Sequence, residues 1–258
     1  VTMHIEEISF LEFKHFTQAL TSKASEIANE SFNGSYKFWN KEDGTLVTSV
    51  DLQIERLLRE EILNQYPDHS IHGEEEENRI GTSQYGWILD PVDGTINFSS
   101  GIPFYGVLVG LCYKEKIIYG SYRLPSYNDI FCAGDGSTLS NIGFSLKERS
   151  VPDWKSRIVL TTDESRIQNS RFSNHWKELK NLGPTVRTWG DCFGYHLLIS
   201  GNADVMIDLS LKMCDILPIL PIIESAGLKV VKLSPDNFSD ILVCRTELEK
   251  ELCSIFKK

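Results

Sequence analysis

Two segments near the start of the chain carry apolar residues at every third or fourth position, the spacing of a helix with one buried face. The first segment predicts a helix over residues 5–32 that ends at Asn33-Gly34, because glycine is common just after helices. Its buried face would consist of Phe13, Phe16, Leu20, Ala24 and Ile27. A short strand or arm, Tyr36 to Trp39, follows this helix and precedes a turn.

The second segment predicts a helix that runs to about Tyr66, with a buried face of Val47, Val50, Ile54, Leu57 and Leu58. Thr48 and Asp51 have the three-residue spacing of a capping box. Asp51 and Glu55 lie one turn apart, beside the apolar stripe. Spacing alone favours a solvated helix edge for these two acids over a place at the rim of a site.

Apolar runs between polar turns then predict antiparallel strands at 104–113, 117–122 and 129–133. Further strands are predicted at 157–162, 203–207, 228–232 and 241–244, and helices at 170–181, 191–200, 215–226 and 247–256. Pro221 should kink the third of these helices. Gly, Ser and Lys cluster near 135–155, so we predict an N-terminal lobe over 1–143 and a C-terminal lobe over 144–258.

Composition narrows the possible partners. The chain has 258 residues, enough for a substantial core, and a net charge of −10 that disfavours nucleic acid and anionic membranes. No apolar run reaches the length of a membrane span and no signal peptide is visible, so we expect a cytoplasmic protein. Six scattered cysteines without a C-x-x-C pair predict buried thiols in a reducing compartment. The cysteine and histidine spacings predict no zinc site.

The stretch from Trp87 to Thr95 carries the strongest chemical signal. A buried apolar strand leads to Asp90, where Pro91 should end the pairing, and Asp93-Gly94-Thr95 follows. Glycine allows close backbone approach to a ligand, and Thr95 is a good N-cap, so a helical turn beginning there offers an anion site. Carboxylates beside an anion require cations between them, and hard oxygen ligands indicate Mg²⁺. The alternative is an ordinary Asp-rich turn.

A second acidic segment follows a short predicted strand. Ser70-Ile71-His72-Gly73 precedes four glutamates, residues 74–77. Such runs are usually solvated loops. Because Glu74 comes directly after a strand end and a glycine, its carboxylate could instead point inward while the others face water.

Four features in this order carry a family resemblance. They are Val47-Thr48-Ser49-Val50-Asp51 with Glu55, then Gly73-Glu74-Glu75, then Trp87 to Thr95, and last Gly201-Asn202-Ala203-Asp204 leading to Asp215. Over roughly residues 5–245 the chain resembles the inositol monophosphatase family of Mg²⁺-dependent, lithium-sensitive phosphomonoesterases. The resemblance implies an α+β fold, a layered αβαβα sandwich of the inositol monophosphatase and fructose-1,6-bisphosphatase type, and a homodimer.

The resemblance also implies a metal site with two or three Mg²⁺ per subunit. Glu74, Asp90 and the Val92 carbonyl would hold the first ion, and Asp90, Asp93 and Asp215 the second. There is a physical reason for cations here. Two carboxylates about 4 Å apart repel by about 4 kcal/mol at an effective dielectric near 20. Two ions can clamp a phosphate, acidify a water and neutralise the leaving alkoxide.

The implied catalytic residues are Asp51, Glu74 and Thr95, with Asp51 and Thr95 ordering the attacking water. The N–H groups of Gly94 and Thr95 could hold phosphate oxygens. No Ser/His or Cys/His pair suggests a covalent intermediate, so we expect direct hydrolysis by water.

The run Arg187-Thr188-Trp189-Gly190-Asp191-Cys192-Phe193-Gly194-Tyr195 resembles the branch of the family that hydrolyses histidinol phosphate. Asp191 and Asp208 align with family positions near the non-phosphate half of the substrate. Two carboxylates suit a substrate with an ammonium group. Alternatively, Asp191 caps a helix and Asp208 accepts sugar hydroxyls. Arg187 could orient Asp191 or lie at the dimer surface.

This chain departs from the family pattern at two positions. Cys214 stands where the family usually has Trp, and Gly227-Leu228 replaces Gly-Gly. Neither change removes a ligand, so the chemistry should survive. The alternatives to histidinol phosphate are inositol monophosphate, a sugar bisphosphate or a nucleotide bisphosphate. A catalytically silent metal-binding protein is the alternative from another class.

We predict that Asp93→Asn folds normally and loses nearly all phosphatase activity, because it removes one charge from the proposed metal site. Circular dichroism would check the fold, and phosphate release would check turnover. Turnover like that of the wild type would exclude the two-metal model.

Overall fold

The computed structural model describes residues 7–32, 34–235 and 238–257. Residues 5 and 6 of the predicted first helix, and Asn33 at its end, lie outside the described residues. The helices are α1 (Phe10–Phe32), α2 (Ser49–Gln65), α3 (Thr95–Ser99), α4 (Glu164–Gln168), α5 (Ser173–Asn181), α6 (Asp191–Ile199), α7 (Met213–Ile216), α8 (Leu220–Ser225) and α9 (Glu249–Phe256).

The strands form a small hairpin and two larger sheets. The hairpin is β1 (Phe38–Asn40) and β2 (Leu46–Thr48). The first sheet contains β3 (Ser70–Gly73), β4 (Tyr85–Asp93), β5 (Gly106–Tyr113), β6 (Lys116–Leu124), β7 (Ile130–Gly134) and β8 (Leu139–Ile142), in this order. The second contains β9 (Ile158–Leu160), β10 (Thr185–Arg187), β11 (Val205–Asp208), β12 (Lys229–Lys232) and β13 (Ile241–Cys244), in the order β10-β9-β11-β13-β12.

The helices and sheets stack in five layers, and the apolar faces of each element determine which neighbours it packs against. The predicted apolar faces of α1 and α2 pack on one side of the first sheet, around Phe13, Ile54 and Trp87. Val47 was wrongly predicted as part of the second of these faces, because it lies in β2 before the helix begins. Helices α6 and α8 fill the space between the two sheets. The outer face of the second sheet packs against α5 and α9 through Trp176 and Leu252. The layered αβαβα sandwich is confirmed.

The N-terminus of α2 is fixed by the predicted capping box. The Thr48 hydroxyl accepts from the backbone N–H of Val50 and Asp51, and the Asp51 carboxylate accepts from the N–H of Thr48. Such caps stabilise a helix by about 0.5–2 kcal/mol. The box also holds the Asp51 side chain in one orientation.

Strand β4 extends further than predicted. It was expected to end at Asp90, but it continues to Asp93. The pairing with β5 is nevertheless interrupted where Pro91 lies, because the register passes from Asp90 opposite Leu108 to Asp93 opposite Gly106. This irregularity bends the strand and separates the directions of the two aspartates.

One predicted helix is wrong as a single element, and another begins three residues later than predicted. The segment 215–226 forms α7 and α8, with Pro218 between them and Pro221 in the first turn of α8. Proline removes a backbone donor, so it breaks the helix rather than kinking it. The segment 170–181 forms only α5, after the separate helix α4. Strands β2, β8 and β10 were missed, and each has at most four residues.

The two predicted lobes correspond to one large sheet each, and the loop between β8 and β9 contains the predicted boundary. However, α8 packs against β6 and β7 of the first sheet as well as β12 of the second. The division at residue 143 therefore stays a prediction. The six cysteines are free thiols, five of them buried, as the sequence predicted. None of the helices within the described ranges combines the length and apolarity that a membrane crossing needs.

Gly120 provides a test of this inter-layer packing. A Cβ at this position would lie 1.8 Å from the backbone oxygen of Pro218, between α7 and α8. We predict that Gly120→Ala lowers the free energy of unfolding by about 1–3 kcal/mol or more, because neither backbone can move freely. Urea denaturation measures this. The control is Gly86→Ala in β4, where the nearest atom would lie at 3.6 Å. Equal stabilities of the two variants would contradict the packing argument.

Candidate active site with a carboxylate cluster

Three acidic side chains from distant parts of the chain meet at one end of the first sheet. Glu74 follows β3, Asp90 lies in β4, and Asp215 lies in α7. Strands β3 and β4 are parallel, with Gly73 opposite Leu89, so Glu74 and Asp90 emerge side by side. Glu74, Asp90 and Asp215 each place one carboxylate oxygen within 4.8 Å of the others, and the Cys214 sulfur belongs to the same group.

Asp90 is the most buried member of this cluster, with 1% of its surface exposed. Its Oδ1 accepts from the Val92 N–H at 3.1 Å. Burial raises the pKa of Asp90 well above its usual value, and repulsion from Glu74, Asp93 and Asp215 raises it further. Burial also raises the pKa of Asp215. A divalent cation would relieve both effects, so these side chains could hold a metal.

Asp93 lies on the other side of the irregularity in β4. Its carboxylate accepts a close hydrogen bond from the backbone N–H of Cys192, at the start of α6. Burial raises the pKa of Asp93 strongly, followed by repulsion from Asp191 and Asp215. The charge of Asp215 thus acts on Asp93, although Asp93 does not belong to the group of four side chains whose ligand atoms lie within 4.8 Å of one another.

Asp51 and Thr95 form a direct pair at the site. The Thr95 Oγ1 lies 3.1 Å from Asp51 Oδ1 and 3.0 Å from the Val92 carbonyl oxygen. Asp51 is 1% exposed, and burial raises its pKa. The expectation of a solvated helix edge is thus wrong for Asp51. The apolar pattern of α2 does not show that the first sheet and α3 also cover the side of the helix that carries Asp51.

Thr95 begins α3, but it is not the N-cap that the sequence suggested. Gly94 occupies that position with a φ of 91°, in the left-handed region that glycine adopts without strain. A Cβ on Gly94 would also lie 2.9 Å from the Phe104 carbonyl oxygen and 3.2 Å from Asp191 Oδ2. Glycine therefore lets the turn approach Asp191 closely.

Asp191 and Asp208 come from α6 and the end of β11. Asp191 Oδ2 accepts from Asn97 Nδ2 at 3.0 Å. Asp208 is buried and accepts from the Thr162 N–H and the Tyr195 hydroxyl, both at 3.0 Å. Burial, and then repulsion from Asp208, raises the pKa of Asp191 to about 7. Burial raises the pKa of Asp208 to about 6.

The alternative that Asp191 caps α6 is wrong, because Gly190 is the N-cap and Asp191 is the first helical residue. Asp191 has a φ of 52°, a strained conformation of the kind that clusters at functional sites. Arg187 lies at the surface, where its Nη1 donates to the Val186 carbonyl oxygen and its guanidinium lies over the Trp189 ring. A role for Arg187 in substrate binding stays a prediction.

Glu55 has a supporting role that sequence reasoning missed. It is fully buried and accepts from the backbone N–H groups of Glu75 and Glu76, at 2.7 and 3.1 Å. Arg59, one turn further along α2, pairs with it at 2.7 Å. Glu55 thereby fixes the loop that begins with Glu74. The feature of the sequence that could have indicated this role is the position of Glu55 one helical turn after Asp51.

Two lysines that the sequence did not single out partly balance the cluster. Lys212 donates to Glu74 Oε1 at 3.0 Å. Lys41, from the β1–β2 hairpin, lies 3.5 Å from the same oxygen and 2.7 Å from Glu75. Burial alone would lower the pKa of Lys212, but the charge of Glu74 outweighs it and the pKa is raised. Only the folded chain brings these residues together.

Comparison with known proteins shows the family to which the chain belongs. The sequence model of the inositol monophosphatase family matches residues 11–255. The chain belongs to this family. The inositol monophosphatase family consists of metal-dependent phosphatases. A carboxylate cluster that could hold a metal ion is consistent with membership of such a family.

Two curated relatives illustrate the range of substrates among the inositol monophosphatase family's members. A histidinol-phosphatase of Chlorobaculum parvum is 30% identical over 209 residues, 81% of each chain. Inositol monophosphatase 1 of Homo sapiens is 34% identical over 226 residues, 84% of this chain and 82% of the human one. A solved structure titled extragenic suppressor protein suhB, from Bartonella henselae, superposes with a TM-score of 0.85 at 21% identity. It covers 95% of this chain and 98% of that one, and it supports the fold.

The raised pKa values predict an unusual pH dependence of stability when divalent ions are removed. Because the pKa of Asp191 is raised from 3.8 to about 7, the native state binds more protons than the unfolded state between these values. The free energy of unfolding should therefore fall as the pH rises from about 4 to about 7. Urea denaturation in EDTA at several pH values tests this.

Asp191→Asn is the control for this pH dependence, because it removes one of the titrating groups and should make the fall shallower. Stability of the metal-free wild type that rises steadily with pH through the same window would contradict the arrangement of carboxylates described above.

Proposed function

We propose that this chain is a Mg²⁺-dependent phosphomonoesterase whose substrate is histidinol phosphate. The observation that carries the hydrolytic part is the convergence of Glu74, Asp90 and Asp215 within 4.8 Å, with Asp93 and the Asp51–Thr95 pair beside them. Buried carboxylates at this separation are stable together only as a cation site or when partly protonated.

The residues present fit a hard divalent cation. Carboxylate and backbone carbonyl oxygens are the ligands that Mg²⁺ prefers, and we assign Glu74, Asp90, Asp93, Asp215 and the Val92 carbonyl to this role. When bound, two or three such ions supply Lewis-acid activation of water and neutralise charge on the phosphate and leaving group. Lys212 and Lys41 hold the Glu74 carboxylate in place by hydrogen bonding.

The chain's own residues position the reactants. We assign Thr95 and Asp51 to orient the attacking water, because the Thr95 hydroxyl is held 3.1 Å from a buried carboxylate that can take up a proton. Burial raises the pKa of Asp51, which makes its carboxylate a better proton acceptor. The backbone N–H groups of Gly94 and Thr95, where α3 begins, would bind phosphate oxygens.

The histidinol part of the proposal is supported by the acidic end of the site. Asp191 lies next to the Gly94 turn, and Asp208 is close enough to raise its pKa. An ammonium group placed there would favour the ionised form of Asp191 and form a charge-assisted hydrogen bond. The relative named histidinol-phosphatase supports the same substrate.

Inositol monophosphate is the second candidate substrate, because the human relative named inositol monophosphatase 1 has the higher identity, 34%. Asp191 could then accept substrate hydroxyl groups. A silent metal-binding protein is the candidate of another class, and the complete carboxylate set with Thr95 speaks against it. A homodimer remains an expectation of the family resemblance, and a cytoplasmic location remains an expectation from the composition of the sequence.

A panel assay of phosphate release with Mg²⁺ tests the proposal. The panel contains histidinol phosphate, inositol 1-phosphate, fructose 1,6-bisphosphate, a nucleotide bisphosphate and an aryl phosphate. We expect the highest kcat/KM for histidinol phosphate. A higher value for inositol 1-phosphate would replace the substrate assignment. Release from none of the compounds would leave the silent protein as the better explanation.

Asp191→Asn tests the assignment of the ammonium site. We expect kcat/KM for histidinol phosphate to fall about 10- to 100-fold, the effect of losing about 1.5–3 kcal/mol from a charged hydrogen bond. The aryl phosphate, which has no ammonium group, should be affected much less. Asp68→Asn, an exposed acid before β3, is the control and should change neither value. Equal losses for both substrates would contradict the assignment.

A further inference from the structure

The carboxylate cluster contains a sulfur atom. Cys214 precedes Asp215 in α7, and its Sγ lies within 4.8 Å of donor oxygens from Glu74, Asp90 and Asp215. The residue is 8% exposed. At this position the family usually has Trp, which could not act as a metal ligand. The residues that would surround a metal in this chain therefore differ in chemistry from the family pattern.

The distance between two of the ligands suits a tetrahedral ion. Cys214 Sγ lies 3.4 Å from Asp215 Oδ1. In a tetrahedral zinc site with Zn–S of about 2.3 Å and Zn–O of about 2.0 Å, neighbouring sulfur and oxygen ligands are about 3.5 Å apart. One thiolate and three carboxylates make four ligands, the number that such a site needs. Mg²⁺ requires near-octahedral oxygen ligands and does not use sulfur.

We propose that Cys214 completes a mixed sulfur–oxygen site, with Glu74, Asp90 and Asp215, that binds thiophilic divalent cations such as Zn²⁺. As the metal–sulfur bond forms, the sulfur supplies the electron pair and the thiol proton passes to solvent. The ion then uses the same three carboxylates that we assign to Mg²⁺. Zn²⁺ therefore competes with Mg²⁺ for the site. The inference rests on the proposed metal site.

The surroundings of Cys214 hold the thiol in position. It packs against Ile88 of β4 and Cys112 of β5, with Leu217 beside them. This apolar contact limits rotation of the side chain away from the carboxylates. This site was not predictable from the sequence, because the four residues are spread over 142 positions and only Cys214 and Asp215 are adjacent.

Cobalt is the probe for the sulfur ligand, since a thiolate bound to Co²⁺ gives a near-ultraviolet charge-transfer band that oxygen ligands do not. The full-length chain, freed of metals, is titrated with Co²⁺ alone. We expect the band in the wild type and its loss in Cys214→Ser and Cys214→Ala. The matched control is Cys112→Ser, which removes the neighbouring thiol from the same apolar cluster and should keep the band.

Affinity gives a second readout. By competition with a chelator, the Zn²⁺ dissociation constant of both Cys214 variants should rise about tenfold or more, while their Mg²⁺ dissociation constant should change less. Circular dichroism and thermal unfolding check that the variants fold. An unchanged cobalt band or unchanged Zn²⁺ affinity in a folded Cys214 variant would overturn the proposal.

The two proposals fail in different ways. If the phosphatase assignment is wrong, the substrate panel shows no phosphate release with Mg²⁺, yet the cobalt band and its dependence on Cys214 are unaffected. If only the sulfur site is wrong, Mg²⁺ supports hydrolysis normally and Co²⁺ binds without the charge-transfer band.

Discussion

Repulsion among buried carboxylates is the constraint on which the rest of this structure depends. Burial is the largest cause of the raised pKa of Asp90, and repulsion from the neighbouring Glu74, Asp93 and Asp215 raises it further. Such a cluster destabilises the folded chain unless protons or cations occupy it. The five packed layers supply the stability that lets the chain keep it. The site is thus assembled against a local cost, as expected where groups are held for binding or catalysis.

Much of the scaffold serves to hold these charges in fixed directions. The capping box of α2 orients Asp51, the irregularity in β4 turns Asp90 and Asp93 apart, and Glu55 anchors the loop that carries Glu74. Each of these three features uses backbone hydrogen bonds. The backbone has less conformational freedom than long side chains, so it holds the charges more firmly. Packing of α8 against both sheets in turn fixes α7, and therefore Asp215, relative to β4.

The sequence predicted those parts that depend on local pattern. The apolar run Ile241–Cys244 was predicted with its bounds, and the spacing of Thr48 and Asp51 gave the cap. The burial of Asp51 was not predictable from the helix itself, because it depends on the sheet and α3 that cover it. Lys212 and Cys214 join Glu74 only in three dimensions. Pro221 predicted a kink, but the structure has two helices in place of one, with Pro218 between them.

The site has two ends that differ in how strongly the geometry constrains the residue at each position. At the phosphate end, Asp90, Gly94 and Thr95 are constrained by geometry, because a change there alters the cluster or the turn. At the other end, Asp191 is held by Asn97 and lies near a second carboxylate, and its charge also raises the pKa of Asp93. A change at Asp191 would therefore affect the metal site as well as the space beside it. Cys214 adds a third kind of variation, because it places a sulfur atom beside the oxygen ligands, and we propose that this changes which cations the cluster prefers.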